Sequence, residues 1–286
     1  MSPISAGLLF QFAAIALFVV LDTLTKVLTA HYPIPQIVFM RFAFHTLVVA
    51  LALRAATGRL PWRSRAPGLE AVRSLCLLVA NGLFVVALFH IPLADASAVT
   101  FASPIFTAAL AALVLGETVG RRRWVGIGVG LLGVMVALRP PFLTGETPHW
   151  ALFLPLGTAA SFAVYQILTR KLSVVDSPHT IILHTGIAAG GLAALAQPFA
   201  WQAPDAAGWL LMALAGVFGA SGHYLLIQAY SRAPASILAP MTYTQLLWAT
   251  LSSALFFGDP PDGWTLLGAA VIATGGVVVA WPERRA

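Results

Sequence analysis

The chain is an almost unbroken succession of ten apolar segments, at about 6–30, 35–56, 69–90, 93–115, 123–140, 148–170, 179–200, 207–230, 234–257 and 262–281. A helix rises about 1.5 Å per residue and the hydrocarbon core of a bilayer is about 30 Å thick, so each run is long enough to cross a membrane. Composition points the same way: 59% of residues are hydrophobic and 9% charged, against about 45–50% and about 25% in a soluble domain. The mean hydropathy is +0.88. The longest connection, Thr57 to Gly68, leaves no room for a soluble domain. These features predict an all-α membrane protein with ten transmembrane helices and the lipid bilayer as its partner.

A duplication constrains the topology further. From Ala87 to Pro140 the chain aligns without a gap on Ala229 to Pro282, at a constant offset of 142 residues. The alignment pairs Pro92 with Pro234, Gly116 with Gly258, Gly126 with Gly268 and Gly133 with Gly275. Each copy closes a run of five segments, which divides the chain into repeats at 1–142 and 143–286. Five is odd, so the second half enters the membrane from the opposite side and the fold is a pair of inverted five-helix repeats. That is the architecture of a transporter.

The net charge of +6 is arranged by side rather than as one patch. With the N-terminus inside, thirteen of the sixteen Lys and Arg fall inside, among them Arg54, Arg73, Arg121, Arg170 and Arg284. Arg139 falls outside, and Lys26 and Arg41 lie within spans. This asymmetry predicts cytoplasmic N- and C-termini in a bacterial inner membrane and needs no nucleic-acid partner. The first segment lacks a basic leader, is too long for a signal peptide and contains Asp22 and Lys26, so it reads as a spanning helix. The single cysteine, Cys76, forms no intrachain disulfide, and no metal or cofactor is expected.

Several residues carry a family resemblance: Pro104 inside the fourth segment, Leu115-Gly116-Glu117 closing it before a basic turn, and the repeat length itself. With these the chain resembles the ten-helix carriers of the drug/metabolite transporter superfamily, built from two EamA-type repeats. The second repeat departs from the pattern, with Leu246 at the place of Pro104 and Gly258-Asp259 at the place of Gly116-Glu117. Within the superfamily the chain is similar to YddG-like exporters of aromatic amino acids. The resemblance implies export of a small metabolite.

An ionisable side chain at membrane depth costs about 2.5–3.5 kcal/mol on insertion scales, so each one needs a protein partner or a water-filled path. Asp22 and Lys26 lie one turn apart in the first segment, with Arg41 at similar depth in the second. A structural reading makes them an ion pair locking the two helices; a functional one makes them coupling or gating groups. Gln166 stands near the place of Asp22 in the second repeat, and Arg170 at that of Lys26. Asn81 aligns with His223, which puts both at equivalent depth near the seam where inverted-repeat carriers bind substrate. Ser97, Thr100, Ser103 and Thr107 share one face of the fourth helix, and Met241, Gln245, Trp248 and Ser252 the matching face of the ninth. Such residues also serve merely to pack helices or to satisfy one another. The functional reading has Asn81, Ser103, His223 and Gln245 holding the polar end of a substrate, with Phe101 and Trp248 flanking its side chain.

Glycines read as packing: Gly126 with Gly130, Gly186 with Gly190, and Gly268 with Gly275. Helices 5 and 10 carry almost nothing polar and are expected to form the outer wall or a homodimer contact. Gly219-Ala220-Ser221-Gly222 matches the nucleophile signature of intramembrane serine proteases, but no histidine follows His223 to serve as base from a later helix. No phosphate-binding loop exists, so the chain is not a primary pump. No catalytic residue is assigned. The reading is a secondary carrier exporting small amphipathic metabolites, neutral or aromatic amino acids first, by alternating access of two five-helix bundles. Export of another metabolite or drug, or a channel-like uniporter, is the alternative. A reporter active only in the cytoplasm, fused after Ala286, should be active; a silent but well-expressed fusion would overturn the topology.

Overall fold

A computed structural model describes residues 3–115, 120–137, 149–238, 241–242, 244–258 and 261–280. Helices occupy each of the ten expected segments: α1 (Pro3–Thr29), α2 (Ile34–Thr57), α3 (Pro67–His90), α4a (Leu93–Thr100) with α4b (Ser103–Leu115), α5 (Arg121–Ala137), α6 (Phe153–Leu172), α7 (Pro178–Ala194), α8 (Ala206–Arg232), α9a (Ala235–Leu238) with α9b (Thr244–Ser252), and α10 (Gly263–Ala280). Seven of these stretches are long and apolar enough to cross a membrane; α5 and α10 hold shorter apolar cores, and α9 is broken. Gly116, Glu117, Arg139, Pro140, Asp259, Pro282, Arg284 and Arg285 lie outside the described residues.

Local chemistry sets the helix ends. Pro67 and Pro178 open α3 and α7, where a missing N–H costs nothing. Ser177 and Asp205 cap α7 and α8 by accepting from the backbone N–H of Thr180 and Gly208. The Gly208 amide, followed by the Tyr32 hydroxyl, holds the Asp205 carboxyl below its usual range. Gly58 ends α2 at φ 68°, and Gly258 closes the π-turn after α9b at φ 66°. Both sit in the left-handed region that glycine enters without steric cost. Pro104 breaks α4, because it cannot donate to the Thr100 carbonyl and its ring crowds that oxygen. The fourth and ninth helices are both interrupted, although only the fourth carries proline at the aligned position.

Contacts between connections show the inversion. The Tyr32 hydroxyl, just after α1, donates to Asp205 at the start of α8. Ser64, just before α3, donates to Asp176, just after α6. Lys26 at the end of α1 reaches the end of α3, whose His90 ring lies 4.8 Å from that of Trp150 at the start of α6. The first helix therefore ends on the face where the sixth begins. The turns around 57–66 and 172–177 share the other face, which is the arginine-rich one.

The packing has the symmetry of the duplication. Exchanging the repeats maps the broad α1–α8 contact onto α6–α3, α2–α8 onto α7–α3, and α4–α6 onto α9–α1. The α2–α7, α4–α9 and α5–α10 contacts map onto themselves. Most helices thus pack across the repeat boundary, and the halves are interlocked rather than standing as separate bundles. Two composite bodies result: α1, α8 and α9, and α3, α4 and α6, bridged by α2 and α7.

The glycines pack as their spacing suggests, but within one chain. A Cβ on Gly275 would fall 2.6 Å from Gly130 N, and one on Gly133 would fall 2.6 Å from Ile272 N. The small-residue faces of α5 and α10 therefore close on each other and are not available to a second copy. On α7, Gly186 admits Thr46 and His45 of α2. Gly222, in the protease-like motif, admits the Phe18 ring. That motif is a close-packing device at the α1–α8 crossing.

Candidate functional site

At the seam between the two composite bodies lies a cavity of about 670 Å³, counting its open space. Pairs of repeat-equivalent residues line it. At the offset of 142 these are Asn81 with His223, Thr100 with Thr242, and Ser103 with Gln245; in the first helices, at an offset of 144, they are Phe18 with Phe162. Asp22, Arg41, Phe84, Ser97, Phe101 and Thr158 also contribute. Breaks in helices place several of these groups. Phe101 sits in the gap between α4a and α4b, Ser103 opens α4b, and Thr242 lies between α9a and α9b.

Asp22, on α1, accepts a hydrogen bond from Gln245 Nε2 at 3.0 Å. Arg41, on α2, shares the cavity and attracts the Asp22 carboxylate. Asn81 donates to the Leu77 carbonyl one turn back at 2.8 Å, which leaves its own carbonyl oxygen as an acceptor. Four buried polar atoms in this wall have no hydrogen-bond partner: Ser97 Oγ, Ser103 Oγ, Thr242 Oγ1 and His223 Nε2. A buried polar atom left unpaired costs about 1–3 kcal/mol, so four in one wall set this seam apart from the packed interior.

His223 is held from behind. Its Nδ1 lies 3.0 Å from the Tyr165 hydroxyl, which itself accepts from Arg73 Nη2 at 2.8 Å. When the Tyr165 hydroxyl donates to Nδ1, a neutral His223 carries its own proton on Nε2. Arg73 is fully buried, although its sequence places it among the charges of the basic face. It donates to Thr169 and Thr185 at 2.7 and 2.5 Å and stacks over the Tyr165 ring, 4.4 Å from its centroid.

Three sequence-based assignments lie elsewhere. Trp248 is 46% exposed and turned out of the cavity, because three residues further along a helix is 60° short of a full turn from Gln245. Gln166 lies in the packed core, where its Oε1 accepts from Thr107 and Tyr230, both at 2.8 Å, tying α6 to α4b and α8. Lys26 does not form the expected i, i+4 pair with Asp22. Its Nζ donates to the carbonyls of Leu88 and Ile91 at the end of α3, at 2.6 and 3.0 Å. Arg170, its repeat equivalent, donates at 2.8 Å to the carbonyl of Tyr230, which is the equivalent of Leu88. The two bonds are symmetry-related clamps between the composite bodies, one near each face. A second acid, Glu70 in the first turn of α3, is buried as well, at 1% exposed.

Phe18, Phe162 and the Arg73–Tyr165 pair were not legible in advance. The two phenylalanines sit in largely apolar runs, and the offset of 144 that pairs Lys26 with Arg170 also pairs them. Arg73 and Tyr165 come together only when α3 packs on α6.

A polytopic helical protein with interlocked inverted repeats and an unsatisfied polar cavity at their seam is a membrane carrier for small molecules. The EamA-like transporter family model matches residues 5–139 and 149–281, and the chain belongs to that family. It is 31% identical to a riboflavin transporter of Rhizobium johnstonii, over 98% of this chain and 92% of that one. It is 27% identical to an S-adenosylmethionine uptake transporter of Rickettsia prowazekii, over 92% and 88% of the two chains. It is 28% identical to a pseudopaline exporter of Pseudomonas aeruginosa, over 98% of each. A solved crystal structure superposes with a TM-score of 0.74 at 21% identity, covering 96% of each chain, which shows the shared fold.

The placements of Gln166 and Trp248 separate packing from cavity. Gln166→Leu should strand the Tyr230 and Thr107 hydroxyls and cost about 1–3 kcal/mol, lowering the melting temperature of the purified protein. Trp248→Ala should leave it within about 0.5 kcal/mol of wild type. The reverse order would contradict these placements.

Proposed function

We propose that the protein is a secondary carrier of the bacterial inner membrane that exports small zwitterionic metabolites with a flat or apolar side chain, neutral and aromatic amino acids first. The observation that carries this reading is the cavity wall. Opposite charges on Asp22 and Arg41 suit an ammonium and a carboxylate, and the unpartnered atoms of Ser97, Ser103, Thr242 and His223 suit the remaining polar groups of such a molecule. Phe18, Phe84, Phe101 and Phe162 supply an apolar enclosure for its side chain. The relatives' names include different substrates and both uptake and export, so the substrate here is read from this chain's own residues. Asn81 and Gln245 orient the head group in this reading, and Trp248 has no part in it.

The repeats, 1–142 and 143–286 with both termini cytoplasmic, supply alternating access. The moving bodies are the composite ones, not the sequence halves. The Lys26 clamp closes one face and the Arg170 clamp the other, and one opens at a time.

Counterflow of radiolabelled L-phenylalanine, L-leucine, riboflavin and S-adenosylmethionine in reconstituted vesicles tests the substrate. Phenylalanine should exchange. Arg41→Met or Gln245→Ala should weaken its apparent affinity by about tenfold or more, as losing one charged hydrogen bond of about 1.5–3 kcal/mol requires. Exchange of riboflavin or S-adenosylmethionine without phenylalanine would refute the amino-acid assignment.

Side-specific labelling tests the clamps, using Ser97→Cys in a Cys76→Ser background. Lys26→Met should speed its reaction with an impermeant maleimide from the face where α1 ends, and Arg170→Met from the arginine-rich face. The expected gain is about tenfold, because each clamp is a charge-assisted hydrogen bond. Equal effects from both faces would rule out a gating role.

A further inference from the structure

On the arginine-rich side of the cavity, the carrier reading leaves one buried titratable group without a task. Glu70, in the first turn of α3, has both carboxylate oxygens buried and without a hydrogen-bond partner. Its nearest charge is Arg73 on the same helix, with Nη1 3.9 Å from Oε2. His184 of α7 and Asp176 of the α6–α7 turn also act on it, one attracting and one repelling its negative charge. Asp176 is in turn fixed at the surface by the Ser64 hydroxyl and the Arg65 amide. A carboxyl placed this way gains no hydrogen bond from being charged, while protons can reach its surroundings from the arginine-rich face.

From Glu70 a continuous chain of contacts leads to the cavity. Arg73 faces Glu70 with Nη1 and donates from Nη2 to the Tyr165 hydroxyl; Tyr165 meets His223 Nδ1, and His223 Nε2 is one of the four unpartnered atoms of the wall. The arrangement exists on one side alone. The positions equivalent to Glu70, Arg73 and Tyr165 in the other repeat hold Met212, Ala215 and Leu21. In a cavity lined in part by equivalent pairs, this is one place where the two faces differ chemically.

We propose that Glu70 is a proton-binding site coupled to the cavity through Arg73, Tyr165 and His223, so that proton occupancy and substrate occupancy influence each other. The step is one proton from the bulk phase binding one carboxylate oxygen; no other bond forms or breaks. Protonation removes the counter-charge facing Arg73, whose remaining partners, Tyr165, Thr169 and Thr185, are neutral hydroxyls. A shift of Arg73 moves the Tyr165 hydroxyl and with it the donor that His223 presents to substrate. Linkage makes the influence reciprocal, so a bound substrate changes the proton affinity of Glu70. The coupling rests on the carrier reading, whereas the proton site does not.

Infrared difference spectra of the purified protein in nanodiscs, taken between acid and alkaline pH, test the site without substrate. A carboxyl C=O band should titrate in wild type and Asp22→Asn and vanish in Glu70→Gln; its persistence in Glu70→Gln would refute the site. Coupling is tested with L-phenylalanine in vesicles whose membrane potential is clamped by potassium and valinomycin. A gradient of about one pH unit supports up to about tenfold accumulation at one proton per substrate. Glu70→Gln should abolish that accumulation while keeping counterflow within about twofold of wild type. Tyr165→Phe should keep the infrared band yet lose accumulation, and it decides the matter if Glu70→Gln does not fold. Wild-type counterflow that ignores the gradient, or full accumulation by either variant, would overturn the coupling. Absence of phenylalanine counterflow in wild type would instead refute the substrate assignment and leave the infrared result to judge Glu70.

Discussion

Inside a bilayer no water is available to satisfy a polar atom, so every donor and acceptor at that depth must find a partner in the protein or line a wet space. Helices meet this requirement for the backbone. Many of the hydroxyls meet it by turning back on their own helix: Thr25, Thr46, Thr169 and Thr185 each donate to the carbonyl four residues earlier. Against that background, unpartnered atoms are informative. Four of them converge on one cavity together with a carboxylate and a guanidinium, and two more belong to Glu70. Among the described residues, Gln11 Oε1, Gln197 Oε1 and Ser253 Oγ are unpartnered as well, but each stands away from the cavity.

The duplication explains how the groups that hold helices together are arranged. Thr25 and Thr169 make the same bond on equivalent helices, Thr29 and Ser173 likewise each donate to a carbonyl three residues back, and Lys26 and Arg170 each clamp the end of a third helix. A single ancestral solution to helix packing has been kept at both faces. Because the equivalent helices run in opposite directions, the same clamp lies near opposite faces. Interlocking follows from the same geometry: α1 finds its broadest partner in α8 and α3 in α6, so each repeat has its best-packed surfaces against the other.

How much of this was legible in the sequence depended on which physical quantity was being read. Positions along a helix were: segment lengths, the pairing of Asn81 with His223, and that of Ser103 with Gln245 follow from spacing alone, and all four residues face the cavity. Rotation about a helix was less so. Trp248 shares a nominal face with Gln245, yet a 60° difference turns it outward. Interactions decided by tertiary contact were least legible. Lys26 is one turn from Asp22 and an i, i+4 pair is the local expectation, but two backbone carbonyls at the end of α3 outcompete one carboxylate that Gln245 already engages. Gln166, a polar residue at membrane depth, had the signature of a site and proved to be a junction for two hydroxyls.

Symmetry also gives the departures from it a meaning. A strictly duplicated carrier presents the same surface to both sides of the membrane and has no chemical means of telling them apart, so any preference would come from the gradients alone. Here the clamps and part of the cavity wall are paired, while Asp22 has a glutamine at its equivalent position and Arg73 an alanine. The acid at Asp22 sits in the cavity wall itself. Glu70 and Arg73 sit behind it, toward one face, and are linked to it through Tyr165 and His223. A direct contact that is the same in both states changes affinity equally whichever face is open. A contact that depends on one composite body's position relative to the other changes affinity in one state more than in the other, and only such a difference can bias a two-state equilibrium. The asymmetric network therefore lies where an inverted-repeat fold can acquire a direction.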